Sequence, residues 1–318
     1  MPLRRTKNRE GVALLLVLWV LAILMVIVIS FSLLTRADLT STLAYGKGVE
    51  KKFLAEAGIH RAISEIFYRK DDASLTDEGP WKGDGRPYRE EAGGGSYVVR
   101  MTDETGKVDI NSAPDVVLKR MLENHGVGSE EAAIIVDSLM DWKDPDDLYR
   151  LNGAESDYYQ SREEPYSAKN GPFETPEELI LVRGMTRDLL YGSGEKEGII
   201  GLLTVNAGSS RINVKAAPKE VLMAVPGMTE VAADAIITYR SEQEIRTVRD
   251  IQGIAGAGYA LMARYITATD GRAFTIDSTG YREGESWGYP VRATVVIEGD
   301  DGYRFVYYKN PAYAGKGE

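Results

Sequence analysis

Several residue types that build catalytic sites are absent or rare in this chain of 318 residues. It contains no cysteine, which excludes a disulfide framework and all thiol chemistry. Its two histidines, His60 and His125, each lack a second histidine at metal-binding spacing. No P-loop motif is present, and the glycine-rich segment 253–258 follows no clear strand, so it is weak as a nucleotide loop. The sequence therefore predicts a protein that is not an enzyme.

Positive charge is also in deficit, with 38 Lys and Arg against 48 Asp and Glu. The formal net charge is −10 at pH 7. An acidic surface does not suit the phosphate backbone of a nucleic acid, whose binding relies on Lys and Arg. We therefore expect no nucleic-acid partner.

Charge is missing altogether from residues 12–35, which read VALLLVLWVLAILMVIVISFSLLT. A transmembrane helix needs about 20 apolar residues, whereas a cleaved secretory signal has a core of roughly 7–15 residues followed by small residues. This run is too long for such a signal, and no small-residue cleavage site closes it. The basic cluster before it (Arg4, Arg5, Lys7 and Arg9) favours a cytoplasmic N-terminus. The sequence predicts a single-pass protein with nearly everything after Arg36 outside the cytoplasm.

The basic leader ends in Gly11, directly before the apolar run. This arrangement resembles the class III signal of type IV pilins and of type II secretion pseudopilins. The resemblance implies that a prepilin peptidase removes the leader, residues 1–11, by cutting between Gly11 and Val12, and that Val12 becomes the methylated N-terminus. Residues 12–35 are then the transmembrane part of the N-terminal helix. An uncut single-pass anchor remains the alternative interpretation of this segment.

Leu16 occupies the fifth position after that cut, where most members of the family carry a glutamate. A charged group inside hydrocarbon is costly and tends to exist for a partner; in the family this partner is the amine of the neighbouring subunit. A subunit at the tip of a filament has no such neighbour ahead of it. In lacking this glutamate, the chain resembles minor pseudopilin K of type II secretion.

The apolar pattern continues beyond the membrane segment. Residues 36–69 contain no proline, and apolar residues recur at near-helical spacing, so we expect one helix from Val12 to about Arg69. Gly46 and Gly48 weaken this helix and allow a bend or a locally melted turn. The segment from residue 71 to the glycines at 93–95 has the composition of a loop.

Strand-like alternation defines the fold class. It occurs at 96–102 and again at 273–279, 291–298 and 303–308, with a hairpin turn at 300–302. We therefore predict an α+β protein in which a long N-terminal transmembrane helix joins a small antiparallel sheet, and the resemblance to pseudopilins implies that this is the pseudopilin fold. The predicted periplasmic α/β domain comprises residues 36–107 and 271–318. A large α-helical insertion, residues 108–270, divides it, and the last residues are expected to fray.

The insertion carries an internal similarity at an offset of 104 residues. Residues 108–121 (VDINSAPDVVLKRM) align with residues 212–225 (INVKAAPKEVLMAV). Both segments read as a strand, a turn, Ala-Pro and a helix, and Pro114 and Pro218 lie where a first helical turn tolerates proline. We interpret the insertion as two related helical lobes.

Residues 221–240 have the pattern of a helix-hairpin-helix, an apolar segment followed by Pro226-Gly227 and then Ala and Ile at helical spacing. A second copy is indicated at 178–186 around Gly184, and 248–256 resembles both. Such a hairpin presents backbone N–H groups to DNA phosphate in repair and competence proteins. The alternatives are therefore a helical packing module and a membrane-anchored DNA-uptake module. Glu230 and Asp234 beside the turn favour packing.

Acidic residues concentrate between positions 141 and 157. Ca²⁺ binds six to eight oxygens from carboxylates, amides and carbonyls, and Pro145 and Gly153 would let this segment fold around an ion. The pattern is not that of an EF-hand. A calcium site and a solvated acidic loop both remain open. The candidate ligands are Asp141, Asp144, Asp146, Asp147, Glu155 and Asp157.

These segments together resemble the minor pseudopilin K family of type II secretion over nearly the whole chain. The matching runs, in order, are DINSAP, DSLMDWKDPDD, NGAESDYY, PFETPEELILVRGMT and INVKAAP. The family implies a structural protein of the bacterial inner membrane with a periplasmic globular part and calcium in the insertion. It also implies a place at the tip of the pseudopilus that supports export of folded proteins across the outer membrane. The implied partners are minor pseudopilins I and J, other type II secretion components and the prepilin peptidase.

Overall fold

The computed structural model describes residues 10–70, 81–194 and 196–312, and its first element is one unbroken helix. Helix α1 spans Glu10–Lys70, 61 residues, which is roughly 90 Å at about 1.5 Å per residue. The predicted long helix is confirmed. Gly46 and Gly48 both lie within the continuous helix, so the melted turn considered there is wrong. A glycine costs only about 1 kcal/mol in a helix, too little to interrupt one of this length.

A five-stranded antiparallel sheet packs against the upper part of α1. Its strands follow one another in chain order, so the sheet is a meander with the insertion between its second and third strands. Asp103, at the end of the second strand, pairs with Phe274 near the start of the third. The strands are β1 (Asp84–Ala92), β2 (Gly95–Asp103), β3 (Ala273–Arg282), β4 (Tyr289–Glu298) and β5 (Gly302–Lys309). The terminal segment expected to fray, residues 313–318, lies outside the described residues.

Strand β1 corrects the sequence analysis, which assigned its residues to a loop. The strand is polar and contains Pro87, at a point where its pairing register with β2 shifts. Both features are tolerated at the edge of a sheet, where one side of the strand needs no ladder hydrogen bonds. The pairing with β2 therefore supplies an order that local composition does not reveal.

Two glycines allow α1 to lie directly on the sheet. A Cβ on Gly280 of β3 would overlap the carbonyl oxygen of Lys51 and lie 2.6 Å from the amide nitrogen of Ala55, both on α1. A Cβ on Gly58 of α1 would overlap the Ser278 hydroxyl and lie 2.8 Å from a methyl of Val99. The helix and sheet thus touch through backbone at Gly280, where no flexible side chain can move aside.

Helices are the main regular structure of the insertion, but they cover only about half of it, less than the mostly helical content expected. The rest is turns, irregular chain and pairs of two-residue strands. Its 3₁₀-helices include Pro176–Leu181, Ile199–Leu202 and Val248–Ile251. Its α-helices are α2 (Asp115–Asn124), α3 (Ser129–Lys143), α4 (Ser156–Gln160), α5 (Arg187–Tyr191), α6 (Lys219–Ala224), α7 (Glu230–Glu242), α8 (Gln252–Ala255) and α9 (Tyr259–Met262).

The two lobes inferred from the internal similarity share one plan. Each begins with a two-residue strand and ends with a parallel partner strand, Val108–Asp109 with Leu203–Thr204 and Ile212–Asn213 with Ile266–Thr267. Between the strands, α2 and α3 of the first lobe correspond to α6 and α7 of the second. Pro114 and Pro218 are the residues that precede α2 and α6 as N-caps.

A half-buried basic side chain closes each lobe in the same way. Lys143, at the end of α3, donates to the carbonyl oxygens of Ile110 and Asn111 at 2.9 and 3.0 Å. Arg240, near the end of α7, donates to the carbonyls of Val214 and Ala217 at 3.0 and 2.7 Å. The cations differ in type and in spacing from their targets, which is why sequence comparison missed this correspondence.

Buried apolar residues form two separate clusters. One joins α1 to the sheet and includes Ile59, Val99 and Ile276. The other lies entirely between Val108 and Ala268 and includes Leu118, Trp142 and Ile236. The α+β architecture with a long helix, an antiparallel sheet and a helical part is confirmed, whereas the domain boundaries given above stay predictions.

The Asp103 carboxylate ties the two parts together where the chain enters and leaves the insertion. It is 2 % exposed and accepts hydrogen bonds from the amide of Thr105 at 2.9 Å and of Gly271 at 2.8 Å. Asn213 lies at the start of the second lobe, and its side-chain amide nitrogen is 3.4 Å from the Asp103 carboxylate. Burial raises the pKa of Asp103, and these hydrogen bonds oppose that rise.

Candidate metal centre

The acidic segment begins at the last turn of α3, where Asp141 is fully buried. Both of its carboxylate oxygens accept a hydrogen bond from the Arg150 amide, at 3.3 and 3.2 Å. A Cβ on Gly153 would overlap this carboxylate, so only glycine fits there. Asp141 therefore fixes the return of the chain at residues 150–153.

Three of the six predicted ligands converge beyond this anchor. Single carboxylate oxygens of Asp144, Asp146 and Glu155 all lie within 4.8 Å of one another. Asp144 follows α3 as its C-cap, and Glu155 precedes α4 as its N-cap. The loop between the two helices thus brings residues from both of its ends to one point.

Glu155 is the residue of this group whose environment best fits a bound cation. Its side chain is 2 % exposed, and both carboxylate oxygens lack a hydrogen-bond partner among the described residues. One buried oxygen of Asp144 is likewise unpaired within the part of the chain that the structure describes. Buried charges in proteins are normally paired or bound to metals. The unpaired oxygens of Glu155 and Asp144, in a group whose carboxylates approach within 4.8 Å of one another, fit a hard divalent cation with oxygen ligands.

The pKa values of these carboxyl groups are raised because the groups are buried and lie close to one another. Burial and, to a smaller extent, the negative charges of Asp141 and Asp144 together raise the pKa of Glu155 to about 7. Burial also raises the pKa of Asp141, against the hydrogen bond from Arg150. The pKa of Asp144 is raised by burial and by Asp146. A bound cation would reverse these shifts, because it stabilises the ionised carboxylates.

The remaining two predicted ligands lie at the edge of the group. Asp147 is exposed, and one of its oxygens lies 3.4 Å from the side-chain amide nitrogen of Asn170. Asp157 is exposed and accepts hydrogen bonds from the Tyr149 hydroxyl and the Tyr158 amide. The structure places neither in the group of three, so the ligand set of six is broader than the group that converges.

An aromatic cluster under the loop was not found from the sequence. Trp142 of α3 and Tyr159 of α4 are both buried, and their rings meet edge to face at 5.1 Å. Tyr166 stacks on Tyr159 at 5.2 Å. These rings hold α3 and α4 together beneath the carboxylates. The signal was present in the order Asp-Trp followed by Tyr-Tyr, but only the carboxylates were considered as functional residues.

The arrangement supports cation binding and structural cross-linking of the loop. The four carboxylates at 141, 144, 146 and 155 can neutralise a divalent ion, and the surrounding residues form a packed scaffold. No other group of three or more acidic or histidine side chains at metal-binding distance occurs among residues 10–70, 81–194 and 196–312.

The residues predicted for cleavage and assembly lie at the start of α1. Gly11 and Val12 are helical, and Leu16 is 62 % exposed; leader residues 1–9 lie outside the described residues. One helix of this structure is long and apolar enough to cross a membrane, and the apolar window of its sequence is not buried by the rest of the chain. Such a helix is compatible with membrane anchoring.

The glycine turn between α6 and α7, assigned to a helix-hairpin-helix, packs against other residues of the same chain. Gly227, between α6 and α7, has a φ of +87°, and a Cβ there would approach Gly258 and Leu261 within 3.0–3.1 Å. Lys219 beside this turn pairs with Glu230 and Asp234. These contacts favour a packing role, and nothing in them favours the DNA-uptake alternative. The helix-hairpin-helix assignment itself stays a prediction.

Comparison with known proteins gives a consistent result. Residues 98–191, which contain the candidate metal centre, match the family model described as type II secretion system (T2SS), protein K. A putative type II secretion system protein K of Escherichia coli (strain K12) is 24% identical over 198 residues, 57% of this chain and 60% of the relative. The type II secretion system protein K of Aeromonas hydrophila is 27% identical over 204 residues, 58% of this chain and 61% of the relative. The chain thus spans about three fifths of these relatives' length.

A solved structure extends the likeness to the fold. A chain in the crystal structure of the GspK-GspI-GspJ complex from the enterotoxigenic Escherichia coli type 2 secretion system matches with a TM-score of 0.59 and 17% identity. The match covers 87% of this chain and 98% of that one. The family model over residues 98–191 and both curated relatives are of type II secretion system protein K, to which this chain is similar, and the solved structure shows the same fold.

Proposed function

We propose that this chain is a non-enzymatic minor pseudopilin located at the tip of the type II secretion pseudopilus. It assembles there with other minor pseudopilins and supports export of folded proteins across the outer membrane. The observation that carries this proposal is the fold shared with a protein solved in a GspK-GspI-GspJ complex, over 87% of this chain.

The apolar start of α1 is the proposed anchor in the inner membrane, with the globular part in the periplasm. Side chains from Leu14 to Leu34 along this helix are largely exposed, and they include no charged group. Such a surface requires lipid or other apolar helices around it. We propose that lipid covers it before assembly and that neighbouring subunits cover it afterwards.

The proposed tip position rests on Leu16 and on the size of the insertion. Leu16 offers no carboxylate to the amine of a subunit ahead, while the amine of this chain can meet a glutamate of a subunit beneath. The insertion forms a complete second core beside the sheet. That bulk suits one end of a thin fibre better than repeated lateral packing along it.

Calcium is the proposed cation of the Asp144, Asp146 and Glu155 group, and its role is structural. It would hold the two ends of the loop between α3 and α4 and neutralise the buried Glu155. No reacting group is required at this site, which agrees with a protein whose function is assembly.

The proposed assembly predicts a complex with minor pseudopilins I and J of the same host. The three full-length chains, co-expressed and extracted in a mild detergent, are expected to co-purify in equal amounts and to remain together through size exclusion. A chain that elutes alone, while I and J elute together, would contradict the proposal. Replacing minor pseudopilin J by a pilin from an unrelated system serves as the control.

The proposed processing predicts cleavage after Gly11. N-terminal sequencing of the chain from its native host is expected to begin at methylated Val12. A Gly11→Leu variant is expected to keep its leader, because the peptidase requires the small residue. Recovery of an intact Met1 from wild-type cells with an active prepilin peptidase would exclude this step and favour the uncut anchor.

A further inference from the structure

The loop that carries the candidate metal centre also presents an apolar surface to solvent. Within four residues, Leu148 is 75 % exposed and Leu151 is 95 % exposed, and Tyr149 between them is 51 % exposed. We call Leu148, Tyr149 and Leu151 the apolar knob. A cluster of apolar side chains held in water marks an interaction surface more often than single exposed residues do.

The knob is held in shape by acidic side chains at its base. The Leu148 amide donates to Asp146 at 2.9 Å, and the Arg150 amide donates to Asp141. The Asn152 amide donates to Asp137 of α3 at 3.0 Å. These bonds fix the backbone on both sides of the knob, so its leucines are presented outward by a defined turn.

The candidate metal ligands flank the knob in the sequence. Asp144 and Asp146 precede it and Glu155 follows it, and their oxygens meet within 4.8 Å. A cation bound there closes the base of the loop, whereas without it three like charges repel one another. The shape of the knob is therefore coupled to occupancy of the site.

The second lobe shows that this loop is not required to build a lobe. There, α7 ends at Glu242 and the capped 3₁₀-helix Val248–Ile251 follows after five residues. In the first lobe, α3 ends at Lys143 and the corresponding capped helix begins only at Pro176. The knob belongs to this added segment, which indicates a role beyond packing of the lobe.

The charges around the knob select its partner. Asp115, Asp146, Asp147 and Asp157 are exposed near it. Arg150 pairs with Asp115 at 2.9 Å, and together with one bound divalent cation it still leaves the region acidic. An anionic lipid surface would repel this face. We propose that the knob docks into a folded protein partner through an apolar depression bordered by Lys and Arg, and that the bound cation sets the docking shape. This inference rests on the metal site under the proposed function.

The test uses the full-length chain in its native host with a photoactivatable benzoylphenylalanine in place of Leu151. Val231, 80 % exposed on α7, is the matched control position. We expect one protein adduct at position 151 and none at 231. The cross-linked peptide should contain apolar residues with Lys or Arg beside them, and a Glu155→Gln background should reduce the adduct at least tenfold. A lipid adduct, an acidic contact peptide, or no adduct would overturn the inference.

A second measurement separates the knob from the metal site. We expect a Leu148→Ser/Leu151→Ser double variant to bind calcium within twofold of wild type and to lose at least fivefold in protein secretion. Val231→Ser should change neither quantity. Secretion at the wild-type level in the double variant would overturn the knob and leave the metal site intact. Absence of calcium binding in the wild-type chain would instead overturn the metal site and the cation's role in docking.

Discussion

Removal of calcium is expected to lower the unfolding temperature of the insertion by about 5–10 °C. A ligand that binds only the folded form stabilises it by about 2.7 kcal/mol at a hundredfold excess over its Kd. The physical cause is that the ion no longer links Asp144, Asp146 and Glu155, whose carboxylates repel one another above about pH 7, where Glu155 is ionised. The full-length chain in detergent micelles, melted with excess calcium and with chelator, gives the measurement.

Hydrogen exchange locates the effect and supplies the controls. Amides of α3, α4 and the loop between them should lose protection with chelator, while β2 and β3 should not, because the two cores are separate. An Asp144→Asn/Glu155→Gln variant should melt at the same temperature with calcium and with chelator, because it has lost two of the three ligands. Glu164→Gln, an exposed residue of the same segment, should still respond to calcium. Identical wild-type melting curves with and without calcium would exclude a structural ion.

The pH dependence of this effect follows from the raised pKa of Glu155. In the calcium-free chain the folded state holds a proton at Glu155 up to about pH 7, above the range where the unfolded carboxyl releases it. The folded state therefore binds more protons between these values, and the calcium-free insertion loses stability as pH rises toward 7. Calcium must displace that proton, so its affinity should be weaker at pH 5.5 than at pH 7.5.

A single methyl group added at Gly280 is expected to weaken the packing of α1 against the sheet. Gly280→Ala places a Cβ against the backbone of Lys51 and Ala55. Since no side chain can move aside, the helix must lift from β3. Overpacking of this kind typically costs about 1–3 kcal/mol, and more where backbone must shift. The sheet core should become less protected in hydrogen exchange, and secretion should fall, because the anchor no longer holds the globular part firmly.

Gly48→Ala is the matched control for Gly280→Ala. Gly48 lies on the same helix, and a methyl group added there would meet nothing within 4 Å. Alanine is also favoured over glycine in a helix by about 1 kcal/mol. This variant should be neutral or slightly stabilising. Equal stability of Gly280→Ala and wild type would contradict the close backbone contact.

Hydrophobic periodicity predicted the helices and strands that are specified by their own residues. The apolar spacing in the upper part of α1 and the alternation in β2 to β4 reflect faces buried against each other, so they are visible in the sequence. Strand β1 was missed because its order comes from pairing with β2 and not from its own composition. The Asp103 junction was missed because Thr105, Asn213 and Gly271 come together only through the fold.

The candidate metal centre shows the same limit. Clustered carboxylates and the turn at Gly153 predicted the region, yet sequence spacing cannot tell which oxygens converge. The structure directs Asp141 to the Arg150 amide and Asp157 to Tyr149, and it leaves Glu155 buried and unpaired among the described residues. Trp142 packs against Tyr159 beneath this loop, and the sequence contains both residues without specifying that contact.

The position of this chain along the pseudopilus tests the central claim most directly. A small tag added after the last residue, imaged on pseudopili from a host that overproduces the major subunit, reports where the chain resides. We predict a single label at one end of each fibre, and a Leu16→Glu variant that remains competent for secretion. Label distributed along the length of the fibres would contradict the assignment to the tip.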